Sequence, residues 1–294
     1  MKTWALFFLG VEVAMGFTVG IVGLGLMGAS LGYALRGFRG ARRLGTDRQA
    51  GVCRRAEEAG AVDSASVCPD DVLGADLVVF CVYAHHIPPL LADRADALRP
   101  GAVVTDICGV KSGLYARISA LLPTGVDYIG IHPMAGKERD GFENAAPDLY
   151  RGAGLIICPL ASTKPESVAL MREMARHIGV AHLAVAPPDR HDAVIAYTSD
   201  LMHIAAAGLC MDYHPEITSA FTAGAYRDST RVADINADAW TELLLDNRVH
   251  TQVWLDRYIE NLRRIRAALA DGDADALREL LARAGQNKRE MLTR

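Results

Sequence analysis

At 294 residues, 51% hydrophobic and 22% charged, the chain has material for one large core or two ordinary ones and lacks the composition of extended disorder. A formal charge of −4 excludes a general electrostatic attraction to nucleic acid. The six cysteines (Cys53, Cys68, Cys81, Cys108, Cys158 and Cys210) form no CxxC pair and sit mostly in apolar runs, which points to reduced thiols in a cytoplasmic protein without a metal site.

Residues 1–16, "MKTWALFFLGVEVAMG", imitate a secretory signal weakly, but Glu12 interrupts the apolar stretch and no small-residue cleavage site follows. They read as an N-terminal extension. No later segment reaches the ~18 uninterrupted apolar residues of a membrane span, so no membrane association is expected.

From Phe17, "FTVGIVGLGLMGASLGYALRG" places Gly23, Gly25 and Gly28 in GxGxxG spacing between a β-branched strand and a helix pattern. That order suits a pyrophosphate: a tight turn, a backbone that can approach phosphate, close helix–strand packing and free N–H groups at a helix start. The loop from Gly23 through Leu24, Gly25, Leu26 and Met27 to Gly28 is therefore the expected cofactor cradle. Asp47 follows about 20 positions after the last glycine, where a carboxylate accepts from the adenosine ribose hydroxyls and repels a 2′-phosphate. NAD is expected over NADP, although Arg48 beside the acid would tolerate a phosphate.

Strand and helix patterns then alternate: "ADLVVFCVYA", "IPPLLADRADALRPG", "AVVTDICGVKS", "GLYARISALLP", "DYIGIHP", "GLIICPL", "PESVALMREMARHIG" and "AHLAVA". This alternation predicts a mostly parallel, doubly wound α/β sheet over 17–186, a Rossmann-like dinucleotide-binding domain. Val82, Tyr83, Cys108, Gly109 and His132 fall at strand ends, where ligands of such sheets bind. His85 and His86 read as solvated loop residues, and His132 as either a catalytic base or an ordinary loop histidine.

After about Pro187 no β pattern recurs, and 187–294 reads as an all-helical domain. "HDAVIAYTSDLMH" carries His191, Ser199, Asp200 and His203 on one helix. "DAWTELLLDNRVHTQVWLDRYIENLRRIRAALA" is a long amphipathic segment, with a last helix from about Ala274. So long an apolar face beside a small domain predicts a homodimer through this half.

Together "GIVGLGLMGASL", "TDICGVK", "IGIHPMAGKERDGFENA", "HDAVIAYTSDLMH" and "AYRDSTRVADINADAW" resemble the prephenate dehydrogenase family, which includes arogenate and cyclohexadienyl dehydrogenases, over residues 17 to about 268. The resemblance implies an NAD-dependent oxidative decarboxylation of a cyclohexadienyl acid. It implies His132 as the catalytic histidine on the substrate hydroxyl and Arg231 as the partner of the ring carboxylate. Glu138 and Asp228 become acidic residues at the cleft entrance, Asp228 placed to orient Arg231. His203, with Ser199, approaches the substrate side chain, Trp240 reaches the site from the dimer partner, and His191 and Asp192 serve domain contacts.

Two departures stand out. Gly109 occupies the place of a family serine that contacts the catalytic histidine, leaving Cys108, Ser112 or water to substitute. Asp200 occupies the place of a family histidine and Met202 that of a proline; Asp200 either meets the substrate side chain, favouring arogenate, or faces solvent. The competing readings are a β-hydroxyacid-type dehydrogenase, for which the helical half lacks the expected lysine, and an NAD-binding sensor with degenerate catalysis.

Overall fold

The computed structural model describes residues 16–137, 139–212 and 214–292. The chain divides into two compact units, Met1–His191 and Asp192–Arg294. The first turn of the expected helical half belongs to the first unit, where the side chain of His191 packs.

The first unit runs β1 (Thr18–Val22), α1 (Leu26–Ala34), β2 (Arg42–Thr46), α2 (Ala50–Glu58), β3 (Ser64–Ser66), α3 (Asp70–Leu73), β4 (Leu77–Phe80), α4 (Ile87–Arg94), β5 (Val103–Asp106) and α5 (Ser112–Ser119). It continues through β6 (Asp127–Tyr128), β7 (Gly130–Met134), β8 (Gly154–Cys158), α6 (Pro165–His177) and β9 (His182–Val185). Strands β1 to β6 form one sheet of order β3-β2-β1-β4-β5-β6, parallel throughout. Its strands are apolar on both faces because helices cover both. Val19, Ile21, Leu77 and Val79 enter one core, and Val78, Phe80 and Val104 the other. Strand order reverses between β1 and β4, which opens the ligand crevice at their carboxyl ends.

The expectation of one sheet needs correction. "DYIGIHP" divides between β6 and β7, and β7 opens a second, three-stranded sheet, antiparallel to β8, with β9 parallel to β8. Gly130 is the cause. Its N–H leaves the ladder to donate to the Tyr115 hydroxyl at 2.6 Å, and a Cβ there would lie 3.0 Å from both Asp106 Oδ2 and Lys111 Cδ. Only glycine lets the backbone cross so close to that buried pair.

The second unit is helical. Helix α7 (Pro188–Ile195) enters it and passes through a π-helical turn (Ala196–Asp200) into α8 (Leu201–Cys210). Then come α9 (Gly224–Thr230), a 3₁₀ turn (Arg231–Ala233), α10 (Ala237–Asp246), α11 (Arg248–Ala270) and α12 (Ala274–Leu292). The long amphipathic segment is therefore two helices. Asn247 breaks it, and its side-chain amide donates to the Asp192 carbonyl at 3.0 Å and to Asp200 Oδ2 at 2.8 Å. By length and mean hydropathy (1.4) the continuous helix Pro188–Cys210 could cross a membrane. Of its three carboxylates, Asp189 is exposed in the first turn, whereas Asp192 and Asp200, further along, are 1% and 2% exposed, an arrangement for the inside of a protein and not for a lipid-facing surface.

Candidate functional site

The glycine loop is built as a cradle. Gly23 turns with φ +93°, and its N–H donates to the Thr46 carbonyl at 2.8 Å. A Cβ at Gly28 would lie 1.8 Å from the Gly23 carbonyl oxygen, so loop and α1 touch backbone to backbone. At Gly25 a Cβ would meet nothing within 4 Å. Open space thus faces the start of α1, where the N–H groups of Leu26, Met27 and Gly28 form the first turn, without an acidic side chain. The buried Leu24 places its N–H 3.1 Å from Asp47 Oδ2, while the other oxygen of Asp47 accepts from Gln49 N–H at 3.0 Å. Each carboxylate oxygen keeps a lone pair for a ribose hydroxyl. Space, donors and acid fit a dinucleotide.

At the end of β4, Val82 packs against Gly23, and the exposed Tyr83 stacks on His85 with ring centroids 6.0 Å apart; His85 and His86 form an aromatic cluster with Tyr83 at the surface. At the end of β5, Asp106 and Lys111 are both fully buried and paired Oδ1 to Nζ at 2.6 Å. Asp106 also accepts from the Cys108 N–H at 2.8 Å and the Tyr128 hydroxyl at 2.6 Å. Burial and the Asp106 charge hold the Tyr128 phenol well above its ordinary value, so it remains a donor. This network fixes the loop that carries Cys108 and Gly109. Sequence reasoning passed over it; an acid and a lysine flanking the same short loop were its signal. Burial likewise pushes the Cys108 thiol up, making it an unreactive packing group, and its Sγ faces the Val82 carbonyl at 3.6 Å. It therefore does not take over the missing serine's contact through its sulfur.

His132 stands half-exposed in β7, two residues past Gly130, whose backbone crosses the Asp106–Lys111 pair. Its Nδ1 lies 2.9 Å from Nε2 of His191, with the ring planes at 60°. His191 is 1% exposed. A residue expected to make domain contacts meets the imidazole of the candidate base. Glu138 lies outside the described residues.

In the second unit, His203 donates from Nδ1 to the Ser199 carbonyl at 3.0 Å, four residues back across the π-helical turn. Burial lowers the pKa of His203, and the Arg231 charge adds to that against the opposing effects of Ser199 and Asp200; the ring is neutral near pH 7 with a bare Nε2. Trp240 stacks on His203 with centroids 3.6 Å apart. The histidine that this tryptophan meets belongs to its own chain. Only a short connection separates the turn at Arg231–Ala233, which packs on α8, from α10.

Arg231 opens that turn and is exposed, as is Asp228. Because α9 ends at Thr230, the two fall on consecutive segments and not on one helix. Asp200 is a further correction: it faces neither solvent nor an open surface. Its Oδ2 accepts from Asn247 at 2.8 Å and from the Thr251 hydroxyl at 2.9 Å, and burial raises its pKa. The periodicity of the α11 segment gave no sign that Asn247 and Thr251 receive this carboxylate.

Comparison with known proteins agrees with this arrangement. Family models described as the prephenate dehydrogenase nucleotide-binding domain and dimerization domain match residues 32–184 and 187–283. The first match begins just beyond the glycine loop, so the loop's role rests on the geometry above. A cyclohexadienyl dehydrogenase of Zymomonas mobilis is 29% identical, over 89% of this chain and 91% of its own length. The structure of Synechocystis arogenate dehydrogenase is 28% identical, with TM-score 0.80, covering 94% of this chain and 100% of that one. The prephenate dehydrogenase of Aquifex aeolicus, solved with hydroxyphenyl propionate and NAD+, shares the fold at TM-score 0.83 and 24% identity, over 94% and 98% of the two chains. With a parallel sheet and glycine cradle in one unit, helices in the other and both family domains matched in order, the chain is an oxidoreductase belonging to the prephenate dehydrogenase family.

Proposed function

We propose that this protein catalyses the NAD-dependent oxidative decarboxylation of a cyclohexadienyl acid, prephenate or arogenate, to 4-hydroxyphenylpyruvate or tyrosine. The observation that carries the reading is His132, half-exposed in β7 two residues past Gly130, whose backbone crosses the buried Asp106–Lys111 pair that fixes the loop at the carboxyl end of β5. NAD, when bound, supplies a hydride acceptor. Asp47 favours it over a 2′-phosphorylated cofactor.

The roles of the protein's own groups follow from the chemistry. His132 takes the substrate hydroxyl proton as the carbinol carbon loses hydride, and returns it to the ring oxygen once loss of CO2 aromatises the ring. Arg231 offers a planar fork to the ring carboxylate. His203 and Ser199 serve the side chain, with Trp240 stacked behind the imidazole; Asp228 and Glu138 remain charged groups near the substrate's entry. With Asp200 taken up by Asn247 and Thr251, its carboxylate no longer argues for an amino acid substrate. The bare Nε2 of neutral His203 does, since it accepts from an ammonium and finds no donor on a keto acid side chain. Arogenate is therefore accepted at least as well as prephenate.

The helical unit leaves Leu209, Met211, Phe221, Leu245, Val249 and Leu269 between 57% and 84% exposed, which supports a homodimer built through it.

Steady-state kinetics with NAD+ and each substrate test the activity. NADH should form with arogenate and prephenate, His132→Asn should lower kcat about 10²-fold or more with NAD affinity kept, and Arg231→Ala should raise KM most. Tight NAD binding without turnover of either substrate would instead favour a sensor.

A further inference from the structure

Tyr115 lies in the first turn of α5, directly after the loop that carries Cys108 and Gly109, and is 3% exposed. Its N–H donates to the Lys111 carbonyl at 3.0 Å, which ties it to the end of that loop. Its ring packs on Tyr128, with centroids 4.5 Å apart. Its hydroxyl reaches the second sheet, where it accepts from the Gly130 N–H at 2.6 Å and donates to the Cys158 carbonyl. Gly130 and Cys158 are the residues that face each other at the start of the β7–β8 ladder. In a hydrogen-bonded antiparallel pair the N–H of one residue meets the carbonyl of the other directly. Here an oxygen from a helix is seated between them. Burial holds the phenol well above its ordinary value, so the hydroxyl keeps the proton that it gives to Cys158.

Resting on the functional reading above, we propose that Tyr115 is a positioning residue of the reaction: its hydroxyl, seated between Gly130 and Cys158, sets where the strand carrying His132 lies relative to the loop carrying Gly109. The loop follows β5 of the parallel sheet, whereas His132 belongs to the second sheet, so no common ladder fixes their separation. A phenol suits the task because its oxygen lies on the axis of the ring. Rotation about χ2 leaves that oxygen in place, and only χ1 and the backbone of α5 set its position. His132 is two residues beyond Gly130, on the same face of the strand, so a displacement at the first rung is carried to it. Without the oxygen, the Gly130 N–H and the Cys158 carbonyl either lose this partner inside the protein, which is costly, or close on each other. Closing moves β7 by on the order of an ångström. A shift of about that size at a reacting group costs roughly 10²-fold in rate, which is how a side chain with no substrate contact acts on catalysis.

Tyr115→Phe keeps the ring and its packing on Tyr128 and removes only the oxygen. It should lower kcat by about 10- to 100-fold with KM and NAD affinity nearly unchanged. The primary isotope effect on kcat, with substrate deuterated at the carbinol carbon, should rise as hydride transfer becomes the slower step. The ¹H–¹³C resonance of the His132 ring, identified by its loss in His132→Asn, should shift in Tyr115→Phe. Ser167→Ala is the control for stability alone: it removes another buried hydroxyl, one bonded to Asp127 at the amino end of β6, and should leave kcat and the isotope effect as in the parent. A Tyr115→Phe protein that turns over like the parent, or whose His132 resonance stays in place, would overturn the proposal. So would a Ser167→Ala protein that loses kcat equally. In the parent protein the Tyr115 hydroxyl proton should exchange slowly and show a nuclear Overhauser contact to the Gly130 N–H; its absence would overturn the proposal without any variant having to fold. A parent that converts neither substrate, with the His132 resonance still displaced in Tyr115→Phe, would overturn the functional reading and leave the positioning of that ring standing.

Discussion

At the scale of single residues, the three glycines of the cofactor loop have identical spacing logic in the sequence but different jobs in the structure. Gly28 is a packing residue, since a Cβ there would be 1.8 Å from a carbonyl oxygen, whereas Gly25 borders open space. The two roles separate experimentally. Gly28→Ala should destabilise the first unit by about 1–3 kcal/mol, because the loop and α1 must move apart. Gly25→Val should leave the melting temperature close to that of the parent and still abolish NAD binding by filling the pyrophosphate space. Thermal melts paired with NAD titration check both, and a Gly25→Val protein that binds NAD normally would remove this loop from the cofactor site. Residue types at fixed spacing make the cradle legible in the sequence, because a turn, its glycines and the helix that follows are all local. The His132–His191 contact is not legible there, because 59 residues separate the two rings and no local pattern announces a pairing across a fold.

At the scale of elements, most strands and helices follow from periodicity, and the exceptions have local causes. Gly130 divides one apparent strand between two sheets, and Asn247 divides one apparent helix into α10 and α11. In both places a side chain or a backbone N–H finds a distant partner stronger than continuation of the element, and such partners are invisible to a window of neighbouring residues. Asp200 links the end of the π-helical turn to α11 through Asn247 and Thr251, and burial raises its folded-state pKa above the unfolded value of about 3.9. The sign of the pH effect follows. The folded unit binds this proton more tightly than the unfolded chain, so the group's contribution to stability grows as pH falls from neutrality through the folded value and is lost as pH rises again. Melting temperatures of the parent and Asp200→Asn, compared from pH 7 to about 4 to bracket that window, should diverge in the parent's favour toward acid. A constant difference, or one of opposite sign, would contradict the burial of this carboxylate.

At the scale of the whole molecule, composition points to a two-part protein and the motif order to which part binds the nucleotide, but periodicity says only that the helical half has more apolar face than a monomer covers. The structure gives that surplus particular residues. Val249 and Val253 lie four apart on α11, hence on one face, and are 67% and 48% exposed. On a monomer they would leave two large apolar side chains in water on one helix face. Covered by a second copy, each would contribute about 1–2 kcal/mol of burial per chain. Light scattering on the purified protein at micromolar concentration should therefore return twice the 31.6 kDa chain mass. The double variant Val249→Glu, Val253→Glu should shift the population to monomer, because two carboxylates per chain would have to be desolvated to close the same interface. Circular dichroism unchanged from the parent would show that the helices themselves survive the change. A parent protein that runs as a monomer throughout would leave these side chains without a partner and would refute the homodimer.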